Sequence, residues 1–256
     1  MYKLGIIGKG ISYSLSPLIH QNFAKQFDIE VDYQIYDIKD DPVAFVEEFF
    51  ANNGYGLNIT KPYKEAFSDK FPDTAKSINC LYENGNKAAS TDGLGLTKDL
   101  DSKEIDYLDM NILVYGLGGA SKSILNSIKN SKNVFIANRS EEKLKNVLRK
   151  EKKLKKYDGQ SLDLIISCTQ GLDLNTIKYF EHLNIKDDAV LYDINYSNQT
   201  NALFSELSLV KESNYYDGVG MLVEQAAACF YLWFGKSPEV EVCLLYTSDA
   251  ADEWRS

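Results

Sequence analysis

The sequence contains very little histidine, and this scarcity removes several kinds of chemistry. Only His20 and His182 occur among the 256 residues, and they form no His-Glu-x-x-His motif or other histidine pair. A metal site built on paired histidines is therefore not predicted. If the protein is an enzyme, its proton transfer has to come from Lys, Asp, Glu or Tyr.

Cysteine and long apolar runs are also sparse. The four cysteines form no Cys-x-x-Cys pair and lie far apart, at Cys80, Cys168, Cys229 and Cys243. We therefore expect no disulfide scaffold and no metal site, and we expect a reducing, cytoplasmic location. The longest apolar run covers nine residues, 226–234, too few to span a bilayer. The N-terminal MYKLGIIG has no secretion-signal pattern, so neither export nor a membrane partner is expected.

The sequence also has fewer basic than acidic residues, 28 Lys and Arg against 37 Asp and Glu. The formal net charge is −9, which argues against a nucleic-acid partner because that role needs clustered basic residues. Apolar residues make up 44% and charged residues 25%, as in ordinary globular proteins. The length allows one large domain or two domains of usual size.

The end of the chain has an unusual composition. CLLYTSDAADE resembles the translation of a sequencing-library adapter, so we expect residues 243–256 to be a non-native tail. We exclude these residues from the fold prediction.

Strand and helix patterns alternate along the rest of the chain. The first half predicts strands over 4–8, 31–36 and 55–59, with helices over 17–27 and from Pro42, where Asp41 is the expected N-cap. After a polar stretch, 99–109, further strands are predicted over 111–115, 134–137, 164–167 and 189–193, and an apolar helix over 222–234. This order predicts an α/β fold with mostly parallel sheets covered by helices.

A glycine-rich loop follows the predicted strand 111–115. It reads Gly116-Leu117-Gly118-Gly119-Ala120-Ser121 and leads into a helix, which is the context of a dinucleotide-binding fingerprint. Gly118 would allow close approach of a pyrophosphate, and the helix N-terminus would supply amide donors. The alternative is a glycine turn that serves packing alone.

The end of the following strand indicates which dinucleotide binds. NAD-binding proteins usually place Asp or Glu there, whereas this chain reads Ala137-Asn138-Arg139-Ser140. Arg139 can contact a 2′-phosphate with two parallel hydrogen bonds, and Ser140 adds a hydroxyl donor. The sequence therefore predicts NADP as the cofactor. The alternative is a surface arginine beside a helix-capping serine.

Polar residues cluster where the strands of the first half end. Ser14 and Ser16 precede one helix, Thr60 and Lys64 follow a strand, and Asp92 opens another helix. Ligands of open α/β sheets bind at these carboxyl ends, although Ser16, Thr60 and Asp92 could each serve only as helix caps.

Taken together, the motifs resemble a known family. The segments GKGISYSLSPLIHQ, GLNITKPYK, SINC, STDGLGL, GLGGAS with NRS, and GVGMLVEQAAACFYLWFG occur in the order found in shikimate dehydrogenases, and the resemblance covers residues 3 to about 235. It implies a substrate-binding catalytic α/β domain over 1–100 plus 218–242 and a Rossmann-like NADP domain over 101–217. It also implies reversible NADPH-dependent reduction of 3-dehydroshikimate to shikimate, in aromatic amino acid and chorismate biosynthesis, by a monomer or homodimer.

The same resemblance implies residue roles. Lys64 matches the catalytic lysine of the family, and Asp92 matches its aspartate partner. The implied substrate-binding residues are Ser14, Ser16, Thr60, Asn79, Ser90, Tyr196 and Gln225. The implied cofactor-binding residues are Gly116, Gly118, Gly119, Ala120, Asn138, Arg139, Ser140, Thr169, Gly218 and Met221. The chain departs from the family at Ser90, where the family has Asn.

The chemistry of a lysine and a carboxylate fits ketone reduction independently of the resemblance. A lysine ammonium can stabilise the developing alkoxide and donate its proton, while a carboxylate orients the amine. Two alternatives stay open: a quinate/shikimate dehydrogenase that uses NAD, and a non-catalytic NADP- or shikimate-binding regulator. The first predicts an acidic residue at the end of the predicted strand 134–137, where this chain has Asn138 and Arg139. The second would suit a chain without Lys64 or Asp92.

Overall fold

A computed structural model describes residues 1–39, 41–72, 74, 77–169, 174–196 and 209–244. The chain divides into two compact units. Of the described residues, the first unit contains Met1–Leu96 and 222–244, and the second contains Thr97–Met221. Most of the expected non-native tail, from residue 245 onward, lies outside the described residues.

The first unit is built on a five-stranded sheet in the order β2-β1-β3-β4-β5. Strands β1–β3 are mutually parallel, and β4 and β5 form an antiparallel hairpin at one edge. The elements are β1 (Tyr2–Gly8), α1 (Ser16–Lys25), β2 (Val31–Asp37), α2 (Pro42–Ala51), β3 (Gly54–Ile59), β4 (Cys80–Tyr82) and β5 (Lys87–Ala89).

Alternation of side chains along β1 explains why both faces of this sheet are covered. Leu4 and Ile6 pack in one buried cluster with Trp233, whereas Ile7 packs in another with Phe49 of α2. Successive side chains of a strand point to opposite faces, so a strand that is apolar throughout needs cover on both sides. The prediction of a mostly parallel sheet covered by helices is therefore confirmed for the first unit.

The second unit contains a six-stranded parallel sheet in the order β11-β10-β9-β6-β7-β8. Its strands are β6 (Asn111–Tyr115), β7 (Asn133–Ala137), β8 (Lys155–Lys156), β9 (Leu162–Ser167), β10 (Ile185–Asp193) and β11 (Tyr215–Tyr216). Its helices are α4 (Gly119–Ser127), α5 (Glu141–Lys150) and α6 (Leu174–Glu181). The chain changes units within α3 (Asp92–Ser102) and again within α7 (Val219–Phe234). None of the described helices is long and apolar enough to cross a membrane.

The structure corrects several local expectations. The β4–β5 hairpin was not predicted, because its three-residue strands are too short to show a clear alternating pattern. The segment after β3 forms only a 3₁₀ turn, Tyr63–Glu65, with Pro62 at its N-cap position, so Thr60 does not cap a helix. The N-cap prediction for α2 is confirmed, since the Asp41 carboxylate accepts a hydrogen bond from the Val43 N–H at 2.8 Å.

Candidate functional site

Lys64 and Asp92, which are 28 residues apart, form an ion pair in the first unit. Lys64 lies in the 3₁₀ turn that follows β3, and Asp92 is the first residue of α3. The Lys64 Nζ donates to Asp92 Oδ2 at 2.6 Å, and the two side chains are only 17% and 5% exposed. The carbonyl of Lys64 accepts the Ile78 N–H at 2.8 Å, which fixes the backbone of the turn. The pair is thus a largely desolvated acid and base.

Asn79 connects this ion pair to α7. Its Nδ2 donates toward Asp92 Oδ1 at 3.1 Å, Gln225 Oε1 at 3.0 Å and Thr91 Oγ1 at 2.8 Å. Its Oδ1 accepts the Thr91 N–H at 2.8 Å, so the amide orientation is fixed. Because an amide nitrogen carries two protons, the three acceptors compete for them, and the oxygen of a bound hydroxyl could take the place of one acceptor without leaving an N–H unpaired.

A second layer of hydrogen bonds supports Asn79 and Asp92. The Thr91 hydroxyl donates to the Gln225 carbonyl at 3.0 Å, and Asn58 Nδ2 donates to the Asn79 carbonyl at 3.0 Å. Asn58 Nδ2 also contacts Cys229 Sγ at 3.2 Å. Burial acts to raise the pKa of the Cys229 thiol, but hydrogen bonds from Cys80, Thr91 and Asn58 outweigh it and hold that pKa below its usual value.

Sequence reasoning did not single out this second layer. Thr91 stands directly before Asp92 in the STDG segment, which was a usable signal. No sequence pattern points to Cys229, because 138 residues separate it from Thr91 along the chain.

The remaining predicted substrate residues of the first unit occupy neighbouring loops. Ser14 Oγ donates to Ser16 Oγ at 3.1 Å and accepts the Ser16 N–H at 3.3 Å. Ser16 does not cap α1, whose N-cap position is Leu15 with no side-chain hydrogen bond, so the capping alternative for Ser16 is wrong. Thr60 follows β3, and the Ser90 hydroxyl is buried with no hydrogen-bond partner among the described residues.

His20 lies in the apolar core of the first unit. Its ring stacks on Tyr33 with centroids 4.9 Å apart, and burial lowers its pKa to about 3. His20 therefore stays neutral near pH 7 and is not a proton donor there. Within the described residues, no group of three or more His, Cys, Asp or Glu side chains could hold a metal ion.

The glycine-rich loop of the second unit leads from β6 into the N-terminus of α4. Gly116 adopts φ +97°, and a Cβ at that position would lie 3.0 Å from the Cys168 carbonyl carbon. Gly118 is the N-cap of α4, and a Cβ there would meet nothing within 4 Å. Gly119 and Ala120 form the first turn of α4, so their N–H groups belong to the positive end of the helix.

Asn138 joins the glycine-rich loop to the end of β7. Its Oδ1 accepts the Leu117 N–H at 3.0 Å, and its Nδ2 donates to the Ser140 carbonyl at 3.1 Å. Arg139 is exposed and is the second residue after β7. Ser140 caps α5, with its hydroxyl accepting the Lys143 N–H at 3.3 Å, so the capping role expected as an alternative is present. A carboxylate that could grip a ribose is absent from this described loop.

The other predicted cofactor residues of the same unit lie in loops or, for Met221, in the first turn of α7. Thr169 follows β9, and its hydroxyl is 3.3 Å from that of Ser167. The Gly218 N–H donates to the Asn195 carbonyl at 2.9 Å, and the Met221 N–H donates to the Tyr192 hydroxyl at 3.2 Å. Tyr196, predicted to face substrate, belongs to this second unit.

Comparisons with known proteins agree with these features. Residues 6–81 match the family model for the shikimate dehydrogenase substrate binding domain, and residues 218–244 match that for the shikimate 5′-dehydrogenase C-terminal domain. Shikimate dehydrogenase (NADP(+)) of Legionella pneumophila strain Lens is 33% identical, over 94% of this chain and 97% of that protein. That of Clostridium botulinum strain Hall is 34% identical, over 91% and 96%. A solved shikimate dehydrogenase in complex with NADP⁺ is 25% identical, with a TM-score of 0.81, and covers 98% of this chain and 96% of that one.

Proposed function

The chain belongs to the shikimate dehydrogenase family, and we propose that Lys64 and Asp92 perform the proton transfer of its reaction, the reversible NADPH-dependent reduction of 3-dehydroshikimate to shikimate. The observation that carries the proposal is the 2.6 Å contact between Lys64 Nζ and Asp92 Oδ2, with Asn79 bonded to the same carboxylate and to Gln225. These four side chains come from four separate segments of the sequence.

The chemistry of the reduction assigns a role to each group. When hydride reaches the carbonyl carbon, negative charge develops on the oxygen, and the Lys64 ammonium can stabilise it and donate the proton. In the reverse direction the neutral amine accepts that proton. Asp92 orients the amine, and its carboxylate can accept a hydrogen bond from a substrate hydroxyl. Asn79 and Gln225 supply further groups that suit a polyhydroxylated ring.

Serines and a threonine suit the remaining part of the substrate. Ser14, Ser16 and Thr60 offer hydroxyl donors, which fit a carboxylate. The Ser90 hydroxyl, which has no hydrogen-bond partner in the described part of the chain, can bond to a further substrate oxygen. The cofactor is NADP, which supplies the hydride when bound. The Asn138-Arg139-Ser140 loop suits its 2′-phosphate because Arg139 is cationic and exposed, and because none of these three residues is acidic.

The test measures turnover of the purified protein with shikimate or quinate, and NADP⁺ or NAD⁺, from the absorbance of reduced nicotinamide. We expect turnover with shikimate and NADP⁺. Lys64→Met should reduce kcat by about 10² to 10⁴, the usual contribution of a positioned acid-base group, while NADPH binding changes little. Asp92→Asn should also reduce kcat.

Lys61→Met is the matched control. Lys61 lies three residues from Lys64, but it is exposed, with its Nζ 5.9 Å from the centre of the Tyr13 ring. This variant should retain nearly full kcat. A folded wild-type protein without turnover of shikimate and NADP⁺ would refute the assigned reaction, and equal kcat in Lys64→Met and wild type would remove Lys64 from its role.

A further inference from the structure

Three segments of the second unit meet at one residue, Asn195, through its side chain and its backbone carbonyl. Thr169 follows β9, Asn195 lies two residues after β10, and Gly218 immediately precedes α7. The Asn195 Nδ2 donates to the Thr169 carbonyl at 2.5 Å, and the Asn195 carbonyl accepts the Gly218 N–H at 2.9 Å. Two loops that are distant in sequence are thus tied to the same residue.

The orientation of the Asn195 amide is determined by its acceptors. Its second N–H faces Asp193 Oδ1 at 2.9 Å, and its backbone N–H reaches the same oxygen at 3.3 Å. A flipped amide would place its oxygen against a carbonyl and a carboxyl oxygen, leaving two acceptors in contact. Asp193 is fully buried at the end of β10, so the anchor of this arrangement belongs to the sheet itself.

The order of the strands indicates which half of the cofactor lies near Asn195. The glycine-rich loop follows β6, Arg139 follows β7 on one side of it, and β9 and β10 lie on the other side. A dinucleotide bound across the carboxyl ends of a parallel sheet has its pyrophosphate at the glycine-rich loop. With the 2′-phosphate on the β7 side, the nicotinamide half lies over β9 and β10.

We propose that Asn195 is a positioning residue for the nicotinamide half of the cofactor, because it holds the Thr169 and Gly218 loops in one arrangement before the cofactor binds. The inference rests on the proposed function, since it takes these loops as part of the NADP site. Pre-ordered loops lower the entropic cost of binding. Loss of the Asn195 side-chain hydrogen bonds should therefore weaken the binding only of ligands that reach the Thr169 and Gly218 loops.

The test compares two ligands by titration calorimetry on the full chain. NADPH spans the whole site, whereas adenosine 2′,5′-bisphosphate occupies only the adenosine half. We expect Asn195→Leu, which keeps the size of the side chain but removes its hydrogen bonds, to raise the Kd for NADPH about tenfold. The Kd for adenosine 2′,5′-bisphosphate should stay within about twofold of wild type.

The outcomes separate this inference from the proposed function. If wild type binds neither ligand, the proposed NADP site itself fails. If wild type binds both and Asn195→Leu binds NADPH equally well, only the role of Asn195 is wrong. Equal weakening of both ligands would show a general disturbance of the unit and would also overturn the role.

A second variant gives a readout that a general packing defect would not produce. Asn195→Asp places a new carboxyl group against that of Asp193. The other titratable groups that interact electrostatically with Asp193 are Asp217 and Tyr215. Two facing carboxyls repel when both are ionised but can share one proton. The NADPH affinity of Asn195→Asp, taken as a ratio to wild type at the same pH, should therefore recover as the pH falls. A ratio independent of pH would contradict the contact on which the proposal depends.

Discussion

Replacing Asp193 by Asn tests how much a buried carboxyl costs the second unit as pH rises. Burial raises the pKa of Asp193 from 3.8 to about 7, despite hydrogen bonds from the backbone and side chain of Asn195. Its Oδ2 has no hydrogen-bond partner among the described residues, and the hydrogen bonds of Asn195 and of the Ser167 side chain, which lower the pKa, do not outweigh burial. The folded protein therefore holds a proton on this group over a pH range in which the unfolded chain releases it.

The sign and size of the effect follow from this difference. Between pH 3.8 and about 7 the folded state binds more protons than the unfolded state, so the free energy of unfolding decreases as pH rises. At about 1.4 kcal/mol per pKa unit, the full difference amounts to about 4 kcal/mol at most. Asp193→Asn does not titrate, so its stability relative to wild type should rise by up to that amount from about pH 4 to about pH 8 and then level off.

The assay is urea unfolding followed by circular dichroism at several pH values. The diagnostic quantity is the change with pH of the difference in unfolding free energy between Asp193→Asn and wild type. A difference that is the same at every pH could come from the new amide alone. Asp163→Asn is a control of opposite sign: Asp163 is bonded to Lys186 and to the Asn111 N–H, which lower its pKa against a burial effect that raises it. Its stabilising contribution is lost as pH falls, so this variant should differ most from wild type near neutral pH. A stability difference for Asp193→Asn that is flat or falls with pH would refute the reasoning.

Two further predictions concern the separate sites. In steady-state kinetics, Arg139→Ala should raise the KM for NADPH by about tenfold and leave the KM for NADH nearly unchanged, because only NADPH carries the phosphate that a charged hydrogen bond would hold. Equal changes for both cofactors would contradict the assignment of Arg139 to the 2′-phosphate. Thr91→Val should cost about 1–2 kcal/mol in urea unfolding and raise the KM for shikimate, since it removes the hydroxyl bonded to Asn79 and Gln225. Thr91→Ser keeps that hydroxyl and should restore the KM, and a failure to do so would show that the hydroxyl does not position Asn79.

Local patterns were sufficient to predict the α/β class and most of the strands. The buried strand Asn111–Tyr115 followed by Gly116 and Gly118 was visible because strand, glycines and helix are contiguous in the sequence. The same holds for Asp41 as the cap of α2. By contrast, the hairpin of β4 and β5 depends on pairing with β3 across the sheet, which a three-residue pattern does not reveal.

The site was predictable as a set of residue types but not as a geometry. Lys64 and Asp92 were named from motifs, yet their contact depends on how β3 and α3 are placed in the first unit. Asn195 illustrates what patterns cannot give: its importance lies in bonds to Thr169 and Gly218, each more than 20 residues away in the sequence. Such residues become visible only when the backbone path is known.

Gly218 shows that a residue can be required in a binding loop for reasons that have nothing to do with a ligand. A Cβ at this position would lie 2.1 Å from the carbonyl oxygen of Ile194, well inside any tolerable separation, and backbone atoms cannot move aside as a flexible side chain can. A selection for active variants would thus return glycine at 218 whether or not nucleotide ever touched it. The mutational intolerance of this position measures the closeness of two main chains, and ligand contact there has to be established by binding measurements instead.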